Sequence, residues 1–182
     1  MDKQLKGKIL VLGPKRCGKT RIANFLTGFD ENPNFDVYKP TAGTRILECE
    51  RIAKAGKTSI NMQVQLWDCS GDRRYENCWT AILRETHGVV MVYDPTVKEQ
   101  EKDIEMWHKS FVGPLNLPES QILILAHVIR PVGGQQYQAP RSLTRFAFAN
   151  TSLDSDDGIA AMREGFSNLM SGVAGAVLEK SK

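Results

Sequence analysis

The stretch Gly13-Pro14-Lys15-Arg16-Cys17-Gly18-Lys19-Thr20 constrains this chain more than any other. It fits G-x-x-x-x-G-K-S/T, the pattern of a loop whose backbone N–H groups cradle phosphate. Ile9-Leu10-Val11-Leu12 before it reads as a buried strand, and Arg21-Ile22-Ala23-Asn24-Phe25-Leu26 after it reads as a helix. With strand, glycine loop and helix start in that order, free N–H groups and aligned peptide dipoles converge on an anion. Lys19 then reaches the β- and γ-phosphates of a nucleotide, and the Thr20 hydroxyl ligates Mg²⁺. Gly13 through Thr20, with Arg21 behind them, are candidate nucleotide-binding residues.

The 182 residues fit one domain spanning 1–182, long enough to bury a full core. A net charge of +3, evenly spread, gives no argument for nucleic acid. No apolar run approaches the ~18 residues that span a bilayer. The ends, Met1-Asp2-Lys3-Gln4 and Glu179-Lys180-Ser181-Lys182, carry neither a myristoylation site nor a prenylatable cysteine, so no membrane anchor is expected. The cysteines at 17, 49, 69 and 78 form no C-x-x-C pair, which leaves reduced thiols of a cytoplasmic protein as the expectation and argues against zinc.

Strands are expected at Lys8–Leu12, Thr44–Lys54, Thr58–Trp67, Gly88–Tyr93, Ile122–Ala126 and Leu143–Ala149. Helices are expected over Gly18–Thr27, Glu76–Thr86, Lys98–Val112 and Asp156–Leu178. Ala55-Gly56-Lys57 makes the second and third strands a hairpin, and Ile60, Met62, Val64 and Leu66 alternate with Asn61, Gln63 and Gln65. Gly28 to Gly43 holds Pro33, Pro40, Asp30 and Asp36 and reads as a long loop of the kind that carries function. Prolines 131 and 140 with glycines 133 and 134 argue against a full helix between the fifth and sixth strands.

Two further signatures follow the glycine loop. Asp68-Cys69-Ser70-Gly71 ends the alternating strand as D-x-x-G: the Asp68 carboxylate is placed to hold a water on Mg²⁺, and the Gly71 N–H to bond a γ-phosphate. Thr41, in Pro40-Thr41-Ala42-Gly43, offers a second hydroxyl to the octahedral Mg²⁺ shell. Thr20, Thr41 and Asp68 are thus the candidate metal set. The alternative makes Thr41 a turn residue and Asp68 a strand-end cap.

With these three pieces in order, the chain resembles the Ras/Rab small GTPases over nearly its whole length. Ala23-Asn24-Phe25-Leu26-Thr27, Lys39 to Glu48, Leu66 to Asp72, Glu76-Asn77-Cys78-Trp79 and Glu105-Met106-Trp107 narrow the resemblance to the Rab-like subunits of the intraflagellar transport B complex. The resemblance implies an α/β, three-layer P-loop fold: a six-stranded, mostly parallel sheet with one antiparallel edge strand and helices on both faces. It implies GTP or GDP with Mg²⁺ as cofactors. It also implies coiled-coil subunits of the transport complex as partners, met through the switch regions, where Tyr75 and Trp79 are candidate anchors; the alternative for Trp79, three and four residues before Ile82 and Leu83, is that it packs inward. Residence in the cytoplasm and the cilium or flagellum follows from the same likeness.

Several positions depart from the family pattern. N-K-x-D, which reads guanine, is replaced by His127-Val128-Ile129-Arg130, with His127 in the Asn place and an acceptor-free Arg130 in the Asp place. Guanine specificity therefore does not carry over, although the backbone around Ser152, in the faint echo Thr151-Ser152-Leu153, is placed to reach the base. Asp72 stands where a glutamine positions the attacking water, and Lys15 where efficient hydrolases have glycine. Asp72 repels the developing charge, whereas Lys15 either obstructs the geometry or assists as a cation supplied in cis. Hydrolysis below the family's ~10⁻⁴ s⁻¹ is expected, without a catalytic residue to name. The rival functions are a partner-activated GTP or ATP hydrolase, a P-loop kinase of small metabolites, and a pseudo-GTPase with a structural role.

Overall fold

The computed structural model describes residues 5–29, 38–131 and 133–180. Much of the loop expected between Gly28 and Gly43, at 30–37, lies outside the described residues. Strand β1 (Leu5–Leu12) sends Ile9 and Val11 into one apolar cluster and Leu10 and Leu12 into another. A strand with both faces covered belongs at the centre of a sheet. Around it lie β2 (Thr44–Ala55), β3 (Thr58–Cys69), β4 (Gly88–Tyr93), β5 (Ile122–His127) and β6 (Ala147–Thr151), in the order β2-β3-β1-β4-β5-β6. Every pairing is parallel except β2 against β3, the edge hairpin.

The helices cover the two faces separately. Ile22, Ala23 and Leu26 of α1 (Lys19–Thr27) and Met162, Phe166 and Val173 of α4 (Asp156–Glu179) bury one face. Trp79 and Ile82 of α2 (Glu76–Ile82) and Ile104 and Trp107 of α3 (Lys98–Trp107) bury the other. The connection from β1 runs through α1 to the β2 edge, while that from β3 crosses through α2 to β4 on the other side of β1, and a crevice opens beyond the carboxyl ends of these strands. That switch point is where open α/β sheets bind ligands. The glycine loop, the D-x-x-G turn and His127 all fall there, at the ends of β1, β3 and β5.

Strand β1 begins three residues earlier than expected and β3 ends two later, and three further differences have a local reason. Helix α2 stops at Ile82 rather than Thr86 because the Lys8 ammonium donates to the carbonyls of Ile82 and Arg84 at 2.7 and 2.8 Å, satisfying the chain end, and Glu85 turns left-handed at φ 55°. Lys8 also lies 3.7 Å over the Trp67 ring. Helix α3 gives way to a wider π turn over His108–Val112. The sixth strand begins at Ala147, not Leu143, because Leu143 and Phe146 serve as apolar plugs of a 3-10 turn (Arg141–Leu143) and its exit. Helix α4 starts where Ser155 caps it, its Oγ accepting from the Gly158 N–H at 3.1 Å, with Asp156 and Asp157 in the first turn.

Candidate nucleotide-phosphate site

Leaving β1, the chain runs hard against β4. A Cβ on Gly13, whose φ is 144°, would lie 2.0 Å from the Val92 carbonyl oxygen, so no other residue fits. The loop then turns through Arg16 at φ 61° and Gly18 at φ 88°. Residues in this left-handed region line up successive N–H groups into an anion-binding concavity. Lys19 is 7% exposed, its ammonium donating to the Pro14 carbonyl at 2.5 Å and to the Cys17 sulfur at 3.7 Å. Cys17 is buried and donates to the same carbonyl at 3.1 Å, with burial pushing its thiol pKa up. The loop thus wraps around its own lysine, whose ammonium is buried against the Pro14 carbonyl and the Cys17 sulfur.

The expected metal set comes together. Thr20 Oγ1 donates to Asp68 Oδ2 at 2.7 Å, and Thr41 Oγ1 lies 3.0 Å from Thr20 Oγ1 and 3.4 Å from the same carboxylate oxygen. Asp68 is fully buried at the end of β3, and its Oδ1 has no hydrogen-bond partner among the described residues. Burial pushes its carboxyl pKa up, against the hydrogen bond from Thr20 and the charges of Lys19 and Arg45. The Arg45 guanidinium sits 3.8 Å from Asp68. A buried carboxylate with one oxygen, Oδ1, without a partner and the other, Oδ2, met by two hydroxyls is a set of hard oxygen donors suited to Mg²⁺.

Gly71 packs on the loop itself. A Cβ there would lie 2.6 Å from both the Lys15 nitrogen and the Pro14 carbonyl carbon, so only glycine lets the two backbones approach. Next to it, Lys15 and Asp72, two separate departures when taken from the sequence, prove to be one feature: Lys15 Nζ lies 2.9 Å from Asp72 Oδ2. Asp72 also binds Arg74, by side chain at 2.8 and 2.9 Å and by its N–H at 3.0 Å. These Arg74 bonds, with Lys15 adding to them, hold the Asp72 carboxyl well below the usual carboxylate range.

The second side of the crevice is built by β5 and β6. His127 is the last residue of β5, fully buried, with Nδ1 3.1 Å from Thr151 Oγ1 and Nε2 lacking a partner among the described residues. Its ring lies under the loop: a Cβ on Gly18 would be 2.6 Å from His127 Cδ2. Arg130, in contrast, is exposed. Ser152 is buried, accepts from the Asp154 N–H at 3.2 Å, and its backbone presses on Gly158. Arg21 reaches Asp154 at 3.6 Å, tying α1 to this turn. Arg16 lies 5.0 Å over the Tyr38 ring at the mouth.

Two outcomes go beyond the sequence reading. Trp79 is 6% exposed and packs on Trp107 and Phe111 at centroid distances of 5.0 and 4.0 Å, so it is a core residue rather than an exposed anchor. Tyr75 remains partly exposed. Gln100, not anticipated, holds the loop from α3: its amide donates to the Lys15 carbonyl at 3.0 Å and accepts from the Asp94 N–H at 2.8 Å. The clue was a polar residue four before Ile104 on an apolar helical stripe.

Comparison with known proteins agrees with this geometry. The Roc family model (Ras of Complex, Roc, domain of DAPkinase) matches residues 8–128. The intraflagellar transport protein 22 homolog of Danio rerio is 38% identical over 155 residues, 83% of this chain and 82% of that protein. The chain belongs to the intraflagellar transport protein 22 family. Intraflagellar transport protein 22 of Chlamydomonas reinhardtii matches over 96% of this chain and 91% of its own, at 31% identity. Among solved structures, the GTP-bound T. brucei IFT22/74/81 crystal structure superposes with a TM-score of 0.77 at 30% identity, covering 96% of this chain and 98% of that one. The GDP-bound T. brucei IFT22 crystal structure gives 0.71 at 29% identity, covering 93% and 96%. The small-GTPase P-loop fold expected from the sequence is therefore the fold of this family member.

His127 gives this member of the family a built-in acid sensitivity. Burial, with the Arg21 charge adding to it, lowers its pKa from 6.5 to about 4. Between those two values the unfolded chain binds a proton that the folded chain refuses, so stability falls as pH drops through that window. A loss of about 2 kcal/mol is expected between pH 7 and pH 5 in urea unfolding. His127→Asn should flatten that slope; an unchanged slope in the variant would assign the acid loss to other groups.

Proposed function

We propose that this chain is a Mg²⁺-dependent GTP- and GDP-binding, small-GTPase-like subunit of an intraflagellar transport complex, with little hydrolysis of its own. The convergence of Thr20, Thr41 and Asp68, from three separate chain segments, on one buried carboxylate oxygen is the observation that carries this reading. In it, Gly13 to Thr20 wrap the phosphates, Lys19 neutralises them, and Gly71 stands where a third phosphate is sensed. When bound, Mg²⁺ neutralises phosphate charge. Thr20 and Thr41 would hold it, and Asp68 would orient a water on it. In this reading His127 and Ser152 line the base side, and the GTP- and GDP-bound T. brucei relatives support guanine as the base despite the absent N-K-x-D.

Slow turnover follows from the same residues. Asp72 offers no donor to an attacking water, and its carboxylate is engaged with Lys15 and Arg74. The cation of Lys15 is thereby spent on Asp72. The T. brucei relative is described together with 74 and 81, and we extend that company to this chain: coiled-coil counterparts in the cytoplasm and cilium, met through the surface around Tyr75.

Asp68→Asn tests the site. Losing the carboxylate that orients a metal-bound water should weaken the Mg²⁺-dependent gain in triphosphate affinity about ten- to a hundredfold. Because burial disfavours the ionised form of Asp68, the same variant should melt no lower than the parent without ligand. Calorimetric titration with and without Mg²⁺ reads the first effect and thermal unfolding the second. Full retention of the Mg²⁺ response would remove Asp68 from the metal site.

A further inference from the structure

We propose that the Lys15–Asp72 ion pair is a tether that fixes the segment from Cys69 to Tyr75 to the glycine loop, so that this segment presents one conformation with either a diphosphate or a triphosphate bound. The proposal rests on the reading of the loop as a nucleotide site. In a phosphate-driven switch, the main link between such a segment and the loop is the third phosphate, and its loss releases the segment. Here the chain supplies links of its own.

The contacts that hold the segment, and the loop it is held to, do not pass through the phosphate position. Lys15 meets Asp72 at 2.9 Å, its own side chain 54% exposed and that of Asp72 13%. Gly71 lies so close to the backbone of Pro14 and Lys15 that no Cβ fits between them. The Ser70 N–H donates to the Gly43 carbonyl at 2.8 Å, joining the segment to the start of β2, and Ser70 Oγ accepts from the Asp72 N–H at 3.2 Å. Gln100 clamps the Lys15 carbonyl from α3, so the loop end of the tether is itself held. Asp72 also caps the 3-10 turn Arg73–Tyr75 through the Arg74 N–H, which passes the constraint on to the residues preceding α2.

The ion pair is the part of this arrangement that can be removed cleanly. Lys15→Ala takes away the tether yet leaves Asp72 paired with Arg74 and the turn capped. A half-exposed pair contributes modestly, about two- to fivefold in an opening equilibrium. A ligand can shift a two-state segment only by its differential affinity for the two states. A segment already held closed therefore leaves a third phosphate little to change, and a partner reading it finds nearly the same surface in both nucleotide states.

Amide hydrogen exchange on the full chain tests this. Binding of fluorescent GDP and GTP is measured first, and then exchange of peptides covering residues 69–76 is followed with each nucleotide and Mg²⁺. In the wild type, exchange should differ by less than about twofold between GDP and GTP. In Lys15→Ala the GDP-bound state should exchange about two- to fivefold faster than in the wild type, opening a difference between the two nucleotides. The exchanged pair Lys15→Asp with Asp72→Lys should close part of that gap. A wild-type difference as large as that of Lys15→Ala, or a GDP state indifferent to Lys15→Ala, overturns the tether. If neither nucleotide binds, the functional reading fails instead, and faster exchange of the same peptides in ligand-free Lys15→Ala still decides whether the pair holds the segment.

Discussion

Lys19→Ala is expected to weaken binding of GDP and GTP about a hundredfold or more. The ammonium is buried inside the loop, held by the Pro14 carbonyl and the Cys17 sulfur. Truncating one member of a buried charge pair costs about 2–5 kcal/mol, and each 1.4 kcal/mol is tenfold in affinity. Stability should move the other way from affinity, because removing a buried ammonium without its phosphate partner relieves a desolvation cost. Calorimetry with each nucleotide and thermal unfolding without ligand separate the two effects. An affinity within a few-fold of the parent would mean that the loop does not hold phosphate through Lys19.

Gly13→Ala should be the most damaging single methyl group that can be added to the loop. Its Cβ would fall 2.0 Å from the Val92 carbonyl oxygen, and the neighbour is the backbone of a central strand that cannot retreat. Backbone strain and overpacking together put the cost at about 3 kcal/mol or more, a fall in melting temperature of about 10 °C for a chain of this size. Gly28→Ala is the control. Gly28 has φ 71°, but its Cβ would meet nothing within 4 Å, so the cost is only that of a left-handed alanine, about 1–2 kcal/mol. Equal losses in the two variants would show that steric contact with β4 is not what makes position 13 a glycine.

What the sequence made legible was what is encoded in short contiguous pieces. The order of strand, glycine loop and helix needs only local pattern, and so does the hairpin before Asp68. The hydroxyl of Thr41 could be matched to Thr20 and Asp68 because loop chemistry, not side-chain packing, places all three. Other features were silent because they arise between distant segments. Nothing near Lys15 announces Asp72, and nothing near Lys8 announces that it ends α2. Trp79 was ambiguous for a different reason: its spacing from Ile82 suits a packed residue, while its place after D-x-x-G suits an exposed anchor, and only Trp107 and Phe111 resolve which. The early start assigned to the sixth strand has a similar origin. Leu143 and Phe146 are apolar because they fill the core from a turn, and apolarity alone does not distinguish that from a strand.

The aromatic packing beneath α2 gives the chain an optical signature. Of its three tryptophans, Trp79 and Trp107 stand 5.0 Å apart at an interplanar angle of 51°, close enough for their excited states to couple, and the third, Trp67, lies beneath the Lys8 ammonium. All three therefore report on one face of the sheet, where α2 and α3 pack over β1 and β3. Near-ultraviolet circular dichroism and indole emission, with no label attached, will register any partner or nucleotide that lifts α2 from its seat, and will stay silent to events on the opposite face of the sheet.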